Sequence, residues 1–320
     1  MYKFKSKLLK LLDQEFPEVI APVITPIGNA LTTKAFRIKS KNINLIAKIA
    51  FDPKDIEEGK GDKEVYILNL LQEHSLPLQT PKVYKYLKTA NGFPGYIVFL
   101  EVIPGRVYTG NSFINIATEI QNIKLLGDCL NAIHSIKYNY STDFATFKQG
   151  TVEDYLNKYI NSFSKRISIS ILFPKGFEPY IQYFNQIKDY FKRNNETVLL
   201  HRDANFKNIL IDNKRITSLI DWEGAFTGPK SFDFAHVSIL APTYGVSKWH
   251  NSLTEYYANE YTNNPTIFLK EVRMVKLFTA FRYLSKDILN PEDANRKCLE
   301  TNEPLWQYFK HEIDNWKFPF

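Results

Sequence analysis

Residues 198–223 read VLLHRDANFKNILIDNKRITSLIDWE. An apolar run at 198–200 feeds a polar loop, and two further apolar runs, 209–211 and 216–220, flank the polar residues 212–215. That pattern predicts a strand, a loop and then a β-hairpin turning at 212–215. If Ile211 pairs with Ile216, the antiparallel register sets Asn208 opposite Leu219. Asn208 and Asp221 then lie within two residues of each other at the open end of the hairpin. Asp203 stands five residues before Asn208, in the loop feeding the same end. Three oxygen-bearing side chains converge through local geometry alone.

A carboxylate and an amide oxygen side by side suit Mg²⁺, which takes one or two carboxylates and completes its shell with phosphate and water. Asn208 and Asp221 are the candidate metal ligands. A nearby carboxylate that stays off the metal can orient a hydroxyl and accept its proton, which makes Asp203 the candidate catalytic base. The spacing H-R-D-x-x-x-x-N is the catalytic-loop pattern of protein kinases.

From these residues the chain resembles the aminoglycoside phosphotransferase and choline kinase branch of the protein-kinase-like fold. Protein kinases proper carry Lys two residues after the catalytic Asp, where this chain has Asn205, and D-F-G where it has Asp221-Trp222-Glu223. Asp-Trp followed by Gly228-Pro229-Lys230-Ser231-Phe232-Asp233-Phe234-Ala235 is similar to the corresponding stretch of the phosphotransferases. Arg202 departs from the branch, whose small-molecule kinases usually have Gly there; its side chain is expected to point away from the metal. The resemblance implies an α+β, bilobal architecture: a small β-rich lobe over residues 1–100, a hinge at 101–105 and a mostly helical lobe over 106–320.

The N-terminal third fits that expectation. Residues 35–39 and 44–51 predict a hairpin across a turn at 40–41, and 83–87 and 96–100 predict two more strands. After an acidic loop at 52–62, Val65, Leu68 and Leu71 predict a helix over 63–74 with Asp62 as its N-cap. Lys48 lies among apolar strand residues and demands a partner there. By resemblance it holds the α/β-phosphates of ATP or GTP, with Glu64 in the first turn of the helix orienting it. Gly28, in the segment 26–34, falls where the family places its nucleotide loop. The resemblance implies that adenine pairs with the carbonyl of Glu101 and the amide of Ile103, the last backbone donor before Pro104, which has no N–H.

Helical spacing governs the remainder. Ile120, Ile123, Leu126, Leu130 and Ile133 predict a helix up to His134, with further helices at 151–163 and 180–193. Trp222 is expected to pack under the hairpin, His134 and His236 to be packed histidines, and Glu223 to support the metal site from behind.

Composition sets the outer bounds. Among 320 residues 44% are hydrophobic and 23% charged, a globular balance that excludes disordered and fibrous classes. No apolar run reaches the ~18 residues of a membrane helix, and residues 1–12 predict an amphipathic first helix. Cys129 and Cys298 form no metal-ligand or disulfide pattern, so the cytoplasm is the expected location. The net charge is +7; residues 221–320 carry 13 acids against 11 Lys and Arg, so the basic excess lies in front. The abundant aromatic residues are read as core, so no nucleic-acid or membrane partner is expected, and the chain is expected to be a monomer or weak dimer. The reading is a Mg²⁺-dependent kinase of a small-molecule hydroxyl acceptor, foremost an aminoglycoside. Choline, ethanolamine, thiamine, homoserine and macrolides stay open as acceptors, as does a catalytically silent kinase-like scaffold.

Overall fold

The computed structural model describes residues 2–27, 33–88, 92–144, 148–167, 176–194, 196–287, 296–317 and 319, with backbone alone at 2–4 and 285–287. Helix α1 (Tyr2–Glu15) is followed by strands β1 (Val23–Ile27), β2 (Thr33–Lys39) and β3 (Asn44–Ala50). Two helices come next, α2 (Lys54–Glu57) and α3 (Lys60–Gln72), then strands β4 (Val83–Leu87) and β5 (Ile97–Glu101). The five strands form one antiparallel sheet in the order β1-β2-β3-β5-β4.

Alternation along the central strands assigns the two faces. Leu45, Ala47 and Ile49 of β3 and Ile97 and Phe99 of β5 join Leu8, Leu11 and Leu12 of α1 in one core. Val98 and Leu100 face the other way, toward Ile67, Leu68 and Leu71 of α3, in the core shared with the helical half. Lys48 pairs with Val98 across the ladder, so it points to the α3 face.

Two sequence expectations need correction. The stretch 52–62 is not a loop throughout, because Lys54–Glu57 forms a helical turn and α3 already begins at Lys60. The N-cap of α3 is Gly59, at φ 63°, and not Asp62. A left-handed cap is what glycine accommodates without steric cost; Asp62 instead pairs with Lys88 at 2.8 Å.

Beyond β5 the chain is mostly helical: α4 (Gly110–Ala117), α5 (Ile120–His134), α6 (Val152–Ile167), α7 (Glu178–Arg193), α8 (Ser231–Leu240), α9 (Ser247–Tyr261), α10 (Pro265–Asp287) and α11 (Leu305–Asp314). Strands β6 (Lys137–Tyr138), β7 (Thr197–Leu200) and β10 (Phe226–Gly228) make a small sheet, and β8 (Ile209–Asp212) with β9 (Arg215–Leu219) makes the expected hairpin. Among the described residues no helix is long and apolar enough to cross a membrane.

The hairpin ties the two halves together. Arg106 and Ile211 exchange both backbone hydrogen bonds at 3.0 Å, Gln79 N donates to Thr217 O, and Ser218 Oγ donates to Gln79 O. Gly105 lies at φ +123°, and a Cβ there would come within 3.1 Å of Ile211 backbone atoms, so this crossing needs glycine. Ile211 pairs with Ile216 as expected, but Leu210 pairs with Ser218 and Ile209 with Leu219. Thr217 is therefore bulged, its hydroxyl donating to Pro104 O at 2.7 Å. The bulge moves the register by one, so Ile220 N, rather than Leu219, meets Asn208, donating to its carbonyl at 2.8 Å.

Candidate active site

Four elements deliver the predicted side chains to one cleft. Lys48 comes from β3, Glu64 from α3, Asp203 and Asn208 from the segment after β7, and Asp221 from the end of β9. Lys48 Nζ lies 3.0 and 2.9 Å from the two carboxylate oxygens of Glu64 and 2.6 Å from Asp221 Oδ1. Glu223 Oε2 is 3.5 Å away, a contact stronger than its expected supporting role. Burial disfavours the Lys48 charge, but Asp221, Glu64 and Glu223 outweigh it and hold the pKa well above the usual lysine value. Burial, opposed by Lys48, pushes Glu64 up to about 7. One cation among three carboxylates leaves an excess of negative charge that invites a further cation.

Asp203 is held from several sides. Asn208 Nδ2 donates to its backbone carbonyl at 2.8 Å and to Oδ2 at 3.0 Å, and Asn205 Nδ2 donates to Oδ1. With its amide hydrogens so engaged, Asn208 keeps its side-chain oxygen as an acceptor. His236 Nε2 lies 3.5 Å from Asp203 Oδ1. Burial would raise the Asp203 pKa; His236, His201 and Asn205 reverse that and hold the carboxyl below its usual range. The carboxylate is thus kept ionised, while 37% of its side chain stays exposed.

Asp233 anchors the loop behind it. Its carboxylate accepts from His201 N at 3.0 Å, from Arg202 N, and from His134 Nε2 at 2.9 Å, and its side chain is buried. Arg202 and Asp221 both lie in the left-handed region, at φ 69° and 71°, which costs a non-glycine residue about 1 kcal/mol or more. Arg202 turns away from Asn208 and Asp221, as expected, into the rings of Tyr155, Tyr159 and Phe226, and donates to Tyr159 Oη at 2.8 Å. Trp222 is buried and donates to Leu219 O, and His134 is packed between Asp233 and Tyr257.

Glu101 closes β5, where its carboxylate accepts from Lys82 N, and Ile103 follows two residues on, buried. Gly28 lies outside the described residues. Sequence reading assigned no role to Asp233 and read His236 only as packed. The spacing Asp233-Phe234-Ala235-His236 was their available signal, because positions i and i+3 share one helix face.

The family model described as phosphotransferase enzyme family matches residues 23–268, most of the chain and every residue of this cleft. The chain belongs to the phosphotransferase enzyme family. Similar solved structures agree on the fold of this phosphotransferase. A thermostable mutant of aminoglycoside phosphotransferase APH(4)-Ia, in ternary complex with AMP-PNP and hygromycin B, superposes at TM-score 0.67, with 14% identity over 95% of this chain and 96% of that one. The GDP and kanamycin complex of APH(2")-IIia gives TM-score 0.65, 14% identity and coverage of 96% and 98%. The streptomycin–ATP complex of APH(2")-IIa gives 0.63, 12%, 96% and 97%. A search of curated proteins finds no match. The bilobal, kinase-like architecture expected from the catalytic loop is the architecture these structures share with this phosphotransferase.

Proposed function

We propose that this phosphotransferase moves the γ-phosphoryl group of ATP or GTP to a hydroxyl of a small molecule. The lobes span residues 1–100 and 106–320, and the nucleotide binds between them beneath the hinge at 101–105. The observation that carries the reading is the convergence of Lys48, Glu64 and Asp221 within hydrogen-bond distance, beside an Asp203 that Asn208 holds in place.

In this reading Lys48, oriented by Glu64, binds the α/β-phosphates, and the backbone of Glu101 and Ile103 receives the adenine, or the guanine of GTP. The segment around Gly28 covers the phosphates. Asn208 and Asp221 fit Mg²⁺, because one offers an uncommitted amide oxygen and the other a carboxylate, and phosphate and water complete such a shell. The metal, when bound, neutralises charge on the phosphate oxygens. Asp203 orients the acceptor hydroxyl and takes its proton as the phosphoryl group is transferred in line. Phosphoryl transfer is chiefly positioning and charge stabilisation, and these groups supply both.

The relatives' complexes favour an aminoglycoside as acceptor. A second reading, an acidic hydroxylated metabolite, is favoured by two exposed cations, Lys207 and Arg296, that both lie against the ring of Tyr244. The test is a γ-phosphate transfer screen with Mg²⁺ and either ATP or GTP. Its acceptors are aminoglycosides, macrolides, choline, ethanolamine, thiamine and homoserine, with Asp203→Ala as control. Transfer abolished in the variant establishes the reaction and names the acceptor. Absence of nucleotide binding refutes the reading, and nucleotide binding without any transfer leaves the scaffold alternative standing.

A further inference from the structure

An open ring of contacts extends from Asp203 in two arms and shares no member with the Lys48 cluster. Asp203 Oδ1 lies 3.5 Å from His236 Nε2, and that nitrogen lies 2.9 Å from Tyr283 Oη. Burial raises the Tyr283 pKa, opposed by Arg282. The second arm runs through Tyr244. Lys207 Nζ donates to Tyr244 Oη at 2.8 Å and stands 4.0 Å from the centre of its ring. Asn205 ties this arm to Asp203: its side chain accepts from the Lys207 backbone N and donates to the carboxylate.

Arg296 joins from outside the ring. Its guanidinium lies 5.6 Å from the centre of the Tyr244 ring, with Nη2 3.5 Å from the phenol oxygen. Backbone bonds hold it there: Leu305 N donates to Arg296 O, and Leu299 N to Thr243 O. Tyr244 itself packs on Phe206 of the catalytic segment, at 5.1 Å between ring centres.

Lys207 and Arg296 are both exposed, and among the described residues neither has a carboxylate partner. Two like charges gathered on one phenol repel each other. Either cation alone would cover the ring through its π face. Their convergence is offset once an anion lies between or beside them. A polyamine acceptor calls for the opposite, carboxylates along the approach, and in this ring Asp203 is the one carboxylate.

We propose that Lys207 and Arg296 are an anion-binding rim for the acceptor, which is a hydroxylated compound bearing a carboxylate or a phosphate. The rim holds the anionic group while the hydroxyl is presented to Asp203. The proposal rests on the kinase reading and on Asp203 as its base.

The test compares glycerate, glycerol 3-phosphate, kanamycin and hygromycin B as acceptors for the wild-type chain and for the Lys207→Gln/Arg296→Gln double variant. The expected result is that one of the two acids is preferred over both aminoglycosides by roughly tenfold or more in kcat/KM. The double variant should lose roughly 10- to 100-fold on that acid, through KM, with the nucleotide KM unchanged. Preference for an aminoglycoside, or an acid acceptor indifferent to the variant, overturns the proposal. If nothing is turned over, calorimetric titration of the AMP-PNP-loaded protein decides. Binding of either acid, lost in the variant, supports the rim; binding of kanamycin alone, or of none, overturns it. The glycerate and glycerol 3-phosphate arms separate carboxylate from phosphate. Failure to bind AMP-PNP sinks the kinase reading and the rim with it, so the two failures are distinguishable.

Discussion

The two approaches to the cleft carry opposite charge. Around Lys48 three carboxylates meet one ammonium, all within 3.5 Å, whereas on the Asp203 side Lys207 and Arg296, neither with a carboxylate partner among the described residues, meet on the ring of Tyr244. The first arrangement carries an excess of negative charge and the second an excess of positive charge. A catalyst that gathers a metal–nucleotide complex from one side and an acidic acceptor from the other needs this asymmetry. A scaffold that only binds nucleotide has use for the first half alone.

The sharpest way to break the comparison is at the residue between the halves. Asp203→Asn keeps the size of the side chain and its contact with Asn208 but removes the proton acceptor. Turnover should fall by roughly 10²–10⁴-fold with the thermal midpoint nearly unchanged, because Asp203 is part-exposed and does not support the core. Steady-state kinetics beside a melting curve read both, and retained turnover removes Asp203 as base.

The Lys48 side should respond in stability as well as activity. Lys48→Met leaves Glu64 buried without its cation, which costs about 3–5 kcal/mol, and nucleotide binding should fall in parallel. Pairing it with Glu64→Leu tests the cause. The double variant should regain most of the stability and none of the nucleotide binding. Chemical denaturation and calorimetry report the two separately, and a double variant as unstable as the single one would contradict the charge argument.

Asp233 offers a smaller, purely positional effect. Asp233→Asn keeps an oxygen for one of the amides of His201 and Arg202 but leaves the others poorly satisfied, at a cost of about 2 kcal/mol. Turnover should drop less than in Asp203→Asn, and a denaturation midpoint equal to wild type would show that the anchor is dispensable.

What was legible in the sequence follows from distance along the chain. Asp203, Asn208 and Asp221 fall within nineteen residues, and short-range strand and turn rules bring them together. Lys48 was legible because a charge in an apolar strand requires a partner, and the resemblance pointed to Glu64, on α3, as that partner. The bulge was not legible, since the hydroxyl of Thr217 is claimed by Pro104 O, 113 positions away. Asp233 and His236 were missed for the same reason: their contacts reach back some thirty residues to a loop whose path only the fold determines. The helical turn at Lys54–Glu57 was hidden by the glycines and acids around it, which read as a loop.

Lys63 separates the two halves by pH. It is 7% exposed, and burial, with Arg202 adding repulsion and Asp143, Tyr159 and Glu223 opposing, lowers its pKa to about 8. An amine with a depressed folded-state pKa penalises folding while both states are charged, below about pH 8. The penalty fades between pH 8 and the ordinary lysine value near 10.5, where the unfolded chain loses its proton too. At pH 7 the shift corresponds to roughly 3 kcal/mol. Lys63→Met, which keeps the apolar stem, should therefore stabilise the protein at pH 7 by about 2 kcal/mol, and the gain should shrink steadily from pH 8 to pH 10.5. Urea denaturation of both proteins across that range measures the difference directly. A gain that stays constant with pH would mean that Met packs better than Lys, and that neither burial nor Arg202 lowers the Lys63 pKa. A gain that fades as the amine titrates shows that burial, with Arg202 adding repulsion, is what makes the Lys63 charge costly.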